Sequence, residues 1–211
     1  MSAVLFDVLG TVFDLTPLEQ KLGGRAQFDA WFERLLHSAA TVTATGAFKP
    51  FSDLARATLD VEVERLSLEL DPGEVLGELE SLSPYPDARS ALDRLAAADV
   101  RAAVLTNGGL EQTHSLLEAA GLSDVVVGVF AAEEVEAYKP DPRPYRHAVK
   151  QLGVAADGTT LIAAHGWDVL GARAAGLKAI WVDRLEKRWP FPGRAPTHAS
   201  DLLEAAVIVT G

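Results

Sequence analysis

The sequence predicts an α/β protein built on a doubly wound parallel sheet, and three observations carry that prediction. A short apolar run, Ala3-Val4-Leu5-Phe6, delivers Asp7 into the glycine-bearing turn Asp7-Val8-Leu9-Gly10-Thr11-Val12-Phe13-Asp14, which is how an open α/β sheet presents a reactive group at the carboxyl edge of a strand. Further β-rich runs alternate with helical patterns from about Tyr85 onward. Between the first strand and that alternation lies a stretch, 15–85, whose periodicity is helical alone.

The elements follow in order. After the first strand, Trp31, Phe32, Leu35 and Leu36, then Leu54, Leu59, Val63 and Leu66, then Val75, Leu76 and Leu79 recur at helical spacing. An all-helical insert at this point would sit above the carboxyl edge toward which Asp7 points, as a lid, and its apolar positions are mostly expected to be helix packing. Pro84 and Pro86 around Tyr85 form a stiff return hinge. The division is therefore 1–14 and 86–211 as the α/β core, with 15–85 as a helical cap. Four later segments, Arg101 to Leu105, Val125 to Phe130, Thr160 to Ala164 and Lys178 to Val182, read as buried strands. Helices are expected over Asp87 to Ala98, Leu110 to Ala120, Pro142 to Leu152 and Trp167 to Ala175, each closed by glycine, aspartate or another short break. Short connections between alternating strands and helices imply right-handed crossovers.

Composition narrows the function. With 211 residues the chain can bury one good core, or a core and a small second lobe. A net charge of −11 argues against nucleic-acid binding and requires that an anionic substrate meet local cations. The absence of cysteine removes disulfides, thiol nucleophiles and thiolate metal sites. No apolar run approaches a membrane span, and no charged-then-apolar leader follows Met1, so a soluble, cytoplasmic protein with no membrane partner is expected.

Asp7 is the candidate nucleophile; the competing reading is an aspartate that caps a turn. Three later loops place polar residues at the same sheet edge. Leu105-Thr106-Asn107-Gly108-Gly109 offers a hydroxyl, an amide and backbone N–H groups to an anion at a helix start, or else is an ordinary N-cap. In Tyr138-Lys139-Pro140-Asp141-Pro142-Arg143-Pro144-Tyr145 the prolines would fix Lys139 facing the pocket, where a lone loop lysine is otherwise solvated. In Ala163-Ala164-His165-Gly166-Trp167-Asp168, Asp168 opens a helix and either stabilises its first turn or pairs with Lys139 and orients it. His165 beside a nucleophilic carboxylate either accepts a proton from water, or donates to a leaving group, or is satisfied by backbone. The other histidines, His37, His114, His147 and His198, lack partner spacing, so no metal-binding histidine cluster is expected.

Together the four segments resemble the four motifs of the haloacid dehalogenase (HAD) superfamily: a strand-end aspartate with Gly10-Thr11 following, Thr106-Asn107 after the second strand, Lys139-Pro140, and Asp168 before Gly171-Ala172. The resemblance spans nearly the whole chain and is nearest to the L-2-haloacid dehalogenase (type II) branch, through Phe13-Asp14, Lys139-Pro140-Asp141, Tyr145 and Trp167-Asp168 followed by Gly171-Ala172-Arg173. It implies a Rossmann-like core with a helical cap inserted after the first strand. Phosphatases of the superfamily carry a second aspartate two residues after the nucleophile, where this chain has Leu9, and an acidic pair for Mg²⁺ whose first member falls on Ala164. Both losses point away from phosphoryl transfer, whereas a halide leaves without a proton.

What the resemblance implies is metal-independent hydrolysis of a small 2-haloacid through an aspartyl ester, with no cofactor. Asp7 is the nucleophile; Lys139 and Thr11 position it. Thr106 and Asn107 contact a carboxylate or oxyanion, and Asp168 orients Lys139 or water. Leu9, Phe32, Phe51, Tyr145 and Trp167 are assigned to the substrate pocket, and His165 is included among the catalytic residues. The partner is a small carboxylated substrate, and a homodimer is compatible with the family. Rivals are a Mg²⁺-dependent phosphatase acting on a small phosphate ester, and a non-catalytic anion-binding protein of the same fold. Two departures stand out. The branch has an arginine after the tryptophan of its first cap helix, and here Trp31 is followed by Phe32, with Arg34 turned away from that face. Where it has serine and asparagine near the start of motif four, this chain has Ala163 and His165.

Overall fold

The computed structural model describes residues 2–211. Six strands form one parallel sheet in the order β3-β2-β1-β4-β5-β6, with β1 Ala3–Phe6, β2 Arg101–Thr106, β3 Val129–Ala131, β4 Thr159–Ala163, β5 Lys178–Val182 and β6 Thr197–Ala199. This is a doubly wound order whose switch point falls beside β1, between β2 and β4. In-register pairs such as Phe6 with Val104 and Phe6 with Ile162 bring the carboxyl ends of the three central strands to one edge. All four residues of β1 are buried, as expected of a strand covered on both faces.

Helices α5 (Ala88–Ala97), α6 (Leu110–Ala119), α7 (Pro142–Leu152), α8 (Gly166–Ala174) and α9 (Leu202–Thr210) follow the strands. Their boundaries have local causes. Asp141 accepts the Arg143 N–H at the start of α7, with Pro142 at the first helical position, and Gly153 ends that helix in the left-handed conformation. Asp201 caps α9 in the same way, accepting from the Glu204 N–H.

The segment after β1 is helical, with α1 Thr16–Lys21, α2 Arg25–Thr45, α3 Phe51–Leu66 and α4 Pro72–Gly77. Its buried face does not form a core of its own. Trp31, Leu35 and Leu59 belong to the same contiguous apolar cluster as Val4, Phe6 and Ile162 of the sheet. A second cluster on the opposite face joins Leu5, Leu105, Tyr145, Val169 and Trp181. No described helix is long and apolar enough to cross a membrane.

Two differences from the sequence reading have physical reasons. The strand expected over Val125 to Phe130 is confined to Val129–Ala131, because the Val125 N–H turns back to the Leu122 carbonyl and Val127 is exposed. The strand β6 and helix α9 carry no alternation to read: β6 is three residues, Thr197-His198-Ala199, with two of them exposed.

Gly171 sets how closely α8 approaches the loop before α7. A Cβ there would lie 2.6 Å from both Pro140 Cβ and Tyr145 Oη. Overpacking of this kind costs about 1–3 kcal/mol, so Gly171→Ala is expected to lower the unfolding free energy by that amount and to shift the Lys139-Pro140 loop. Equilibrium denaturation against the parent chain measures it.

Candidate active site

Asp7 leaves β1 with its N–H still donating to the Ile162 carbonyl at 3.0 Å, so its position is set by the β4 ladder. The chain then coils tightly, with the N–H groups of Thr11, Val12 and Phe13 all turning to the Val8 carbonyl. This coil brings the Thr11 hydroxyl to Asp7 Oδ2, to which it donates at 2.6 Å while accepting the Ala164 N–H at 2.9 Å. Gly10 makes the turn at φ +78°, and a Cβ there would meet His165 Cε1 and Leu185 Cδ1 at 3.0 Å.

Lys139 arrives from the loop before α7. The Asn107 side chain clamps its backbone from both sides, Oδ1 accepting the Lys139 N–H at 2.8 Å and Nδ2 donating to the Lys139 carbonyl at 3.2 Å. The Lys139 side chain is fully buried and its Nζ donates to Asp7 Oδ1 at 2.8 Å, to Asp168 Oδ2 at 2.6 Å and to the Leu105 carbonyl at 2.9 Å. All three ammonium hydrogens are thereby placed. Asp168, in the first turn of α8, takes its other hydrogen bond from Tyr145 Oη at 2.5 Å.

His165 closes the other side. Its Nδ1 lies 3.0 Å from Asp7 Oδ2, and the ring lies between Phe32 of α2, with centroids 5.7 Å apart, and Trp167 of α8, at 5.3 Å. An ionised carboxylate only accepts, so Nδ1 carries the hydrogen in this contact.

The electrostatics separate the two carboxylates. Burial alone pushes the Asp7 carboxyl up, but the Lys139 charge and the His165 hydrogen bond outweigh it and hold Asp7 well below the ordinary carboxylate range. Burial, with the neighbouring Asp7 charge, pushes Asp168 up against the pull of Lys139. Burial would depress Lys139, yet the two carboxylates hold it above its ordinary value. Asp7 is thus the group that stays ionised most firmly, in a site where it is 4 % exposed.

A cavity of about 320 Å³ adjoins this cluster, lined by Phe28, Phe32, Tyr85, His165, Trp167 and Leu185 together with Asp14, Glu19, Arg25, Asp29, Glu33 and Glu186. His165 is the link, lining the cavity and touching the nucleophile. A larger cavity of about 750 Å³ lies between α3, α4 and the start of α6.

The structure brings Asp7, Thr11, Lys139, His165 and Asp168 into one hydrogen-bonded cluster. Four expected contacts are different. Tyr145, expected at the substrate surface, is fully buried behind Asp168, because its hydroxyl is needed as that carboxylate's donor. Asn107 does not offer its amide to a substrate; both ends are spent on the Lys139 backbone. The anion at the start of α6 is internal, since the Leu110 N–H donates to Glu133 Oε1 at 2.7 Å, and Thr106 Oγ1 accepts the Gly108 N–H at 2.8 Å. Phe51 lines the larger cavity, apart from Phe32 and Trp167. Leu9, partly buried, packs against the main core cluster, its Cδ1 near Gly108. The Trp167 indole Nε1 is buried without a hydrogen-bond partner among the described residues.

Sequence reasoning missed two residues after β5. Arg184 donates to the Thr11 carbonyl at 3.1 Å, pairs with Asp87 and lies 3.9 Å over the Tyr85 ring. Glu186 accepts the Gly166 N–H at 2.9 Å. The one signal was position, since charged residues directly following a buried strand stand at the same sheet edge as Asp7, but no motif marks them.

A buried Asp–Lys–Asp chain at the switch point of a parallel sheet defines an α/β enzyme of the nucleophilic-carboxylate kind. A family profile for haloacid dehalogenase-like hydrolases matches residues 1–176. (S)-2-haloacid dehalogenase 1 of Pseudomonas sp. (strain CBS-3) is 31 % identical over 195 residues, 88 % of this chain and 86 % of that one. Phosphatase MT3486 of Mycobacterium tuberculosis (strain CDC 1551 / Oshkosh) is 33 % identical over 196 residues, covering 87 % and 88 %. The solved L-2-haloacid dehalogenase from Xanthobacter autotrophicus superposes with a TM-score of 0.90 at 25 % identity, covering 100 % of this chain and 99 % of that one. The chain belongs to the haloacid dehalogenase-like hydrolase family.

Removing the shared cation leaves two buried carboxylates facing each other. Lys139→Met is expected to cost about 3–5 kcal/mol at neutral pH, partly recovered on acidification as the raised Asp168 takes up a proton. In the parent, the Asp7 contribution is present above its ordinary 3.8 and is lost as pH falls through its depressed folded value. The Lys139 contribution is complete below 10.5 and is lost as pH rises through its raised value. Urea denaturation across pH checks both limbs; a Lys139→Met variant as stable as the parent at pH 7 contradicts the assignment.

Proposed function

We propose that this chain is a hydrolytic dehalogenase of small 2-haloacids, working through an ester on Asp7. One observation carries the reading: an ionised, nearly dry carboxylate is held by three donors, with no carboxylic acid two residues on to serve a phosphate ester. Leu9 stands where such an acid would be, and expulsion of a halide needs none.

In this reading the attacking atom is Oδ2. It is the oxygen on the side of His165 and its cavity, whereas Oδ1 faces the buried Lys139 Nζ. Oδ2 displaces the halide from carbon two and becomes the ester oxygen. Oδ1 remains as the carbonyl oxygen, so Lys139 stands 2.8 Å from the atom that gains charge when water adds to Cγ. Asp168, braced by Tyr145, keeps Lys139 charged and oriented. Asn107 positions Lys139 through its backbone, and Leu9, Phe32 and Trp167 supply apolar walls. The helices of 15–85 act as the lid, touching His165 through the Phe32 stack and the loop of Lys139 through Tyr138, which bonds to Thr43 and Lys49.

A magnesium-dependent phosphatase is the second reading, favoured by the name of the mycobacterial relative. The donor set does not suit that ion. Asp7 Oδ1 and Asp168 Oδ2 are both occupied by the Lys139 ammonium, position 164 is alanine, and no group of three or more His, Cys, Asp or Glu that suits a metal occurs among the described residues.

Incubation with racemic 2-chloropropionate in ¹⁸O-water is expected to release chloride and, over many turnovers, to place the heavy oxygen in the Asp7 carboxyl. Asp7→Asn abolishes turnover, and chelator leaves it unchanged. Efficient, chelator-sensitive release of phosphate from small esters, with inert haloacids, would reverse the choice. Arg34→Ala is expected to keep turnover near the parent's while lowering the melting temperature, because Arg34 is one of two arginines holding the buried carboxylate of Glu62.

A further inference from the structure

We infer that His165 is the acid–base catalyst of the second half-reaction only, taking the proton of the attacking water and delivering it to Asp7 Oδ2 as the product leaves. The inference rests on the ester mechanism proposed above and assigns the step that mechanism leaves without a proton carrier.

The need is chemical. Displacement of halide moves no proton, but hydrolysis of the ester does: water adds to Cγ, the Cγ–Oδ2 bond breaks, and Oδ2 departs as the oxygen of a 2-hydroxy acid. As an alkoxide it would be a poor leaving group, so an acid at that oxygen is worth about 10²–10⁴-fold. Among the described residues two side chains hydrogen-bond to Oδ2, Thr11 and His165. The Thr11 hydroxyl is not a base, and its oxygen already accepts the Ala164 N–H. Lys139 and Asp168 lie on the Oδ1 side, and Asp168 is engaged by both Lys139 and Tyr145. Glu186, the other carboxylate near the imidazole, is held by the Gly166 N–H. His165 is left, 3.0 Å from the oxygen in question.

The ring is built to stay there. Phe32 and Trp167 flank it, and the absence of a side chain at Gly10, where a Cβ would come within 3.0 Å of Cε1, makes room for it. Before reaction Nδ1–H donates to the Oδ2 carboxylate. Once Oδ2 is esterified it is a weak acceptor, and the imidazole takes its other tautomer, with the hydrogen on Nε2, which makes no hydrogen bond to the described residues. The Nδ1 lone pair then accepts a proton as water oxygen bonds to Cγ, and the extra charge passes to Oδ1 beside Lys139. Collapse breaks Cγ–Oδ2; the electron pair stays on Oδ2, which takes the proton back from Nδ1 and leaves as hydroxyl. Asp7 retains Oδ1 and the water oxygen, and its carboxyl proton passes to solvent. The histidine so placed does for a carbon ester what an acid at position 9 would do for a phosphate ester.

The test is rapid quench with excess 2-chloropropionate. His165→Asn is expected to release one chloride per active site at close to the parent rate and then to slow about a hundredfold or more in steady state. It should accumulate the peptide containing Asp7 with the mass of the ester. In the parent, deuterated water should slow ester hydrolysis and leave chloride release unaffected. A folded His165→Asn whose first chloride is slowed as much as its turnover, with no ester accumulating, overturns the assignment, and so does a parent hydrolysis step insensitive to deuterium. The deuterium arm decides the matter if His165→Asn does not fold. A parent enzyme that releases no halide from any 2-haloacid overturns the dehalogenase reading itself, a different and recognisable failure.

Discussion

One ammonium group organises this site. Lys139 Nζ has no exposed surface and spends its hydrogens on Asp7, Asp168 and the Leu105 carbonyl. Two buried carboxylates facing each other without it would be mutually repelling and poorly solvated, so the cation is what allows an ionised nucleophile to exist in a dry place. Much of the surrounding structure serves to hold that cation. Asn107 pins its backbone, Gly171 lets α8 come close enough for Asp168 to reach it, and Tyr145 fixes Asp168 from behind.

The sequence carried most of the sheet and the members of the buried cluster, for definite reasons. Buried parallel strands read as continuous apolar runs, and their following loops are confined to one edge, so Asp7, Lys139, His165 and Asp168 were predictable as neighbours from position alone. What each polar group touches was less legible. Asn107 and Tyr145 were assigned to substrate on what the family resemblance implies, whereas here their hydrogen bonds are needed by Lys139 and Asp168. Those partners lie 32 and 23 residues away, a distance no local pattern spans. The short β6 and the mostly apolar α9 give little period to detect, and the irregular stretch after β5 that holds Arg184 and Glu186 has no motif at all.

Two departures from the branch pattern turn out to touch each other. Phe32 stands where an arginine is customary and His165 where an asparagine is, and the two rings stack at 5.7 Å. An arginine at position 32 would bring a second cation and a longer, more mobile side chain against the imidazole. The aromatic ring instead offers a flat apolar surface that supports it. Under the proposed mechanism the two changes form one exchange, in which a fixed charge on the helical insert gives way to a proton carrier on the core.

Arg184 has a wider consequence. Its guanidinium covers Tyr85, pairs with Asp87 and holds the Thr11 carbonyl, while Asp87 also accepts the N–H of Leu202 at the start of α9. The chain returning from the helical insert is thus riveted to the coil after the nucleophile and to the last helix of the fold. The return at 85–87 is therefore a fixed joint, and it ties the coil that carries Thr11 to the far end of the chain.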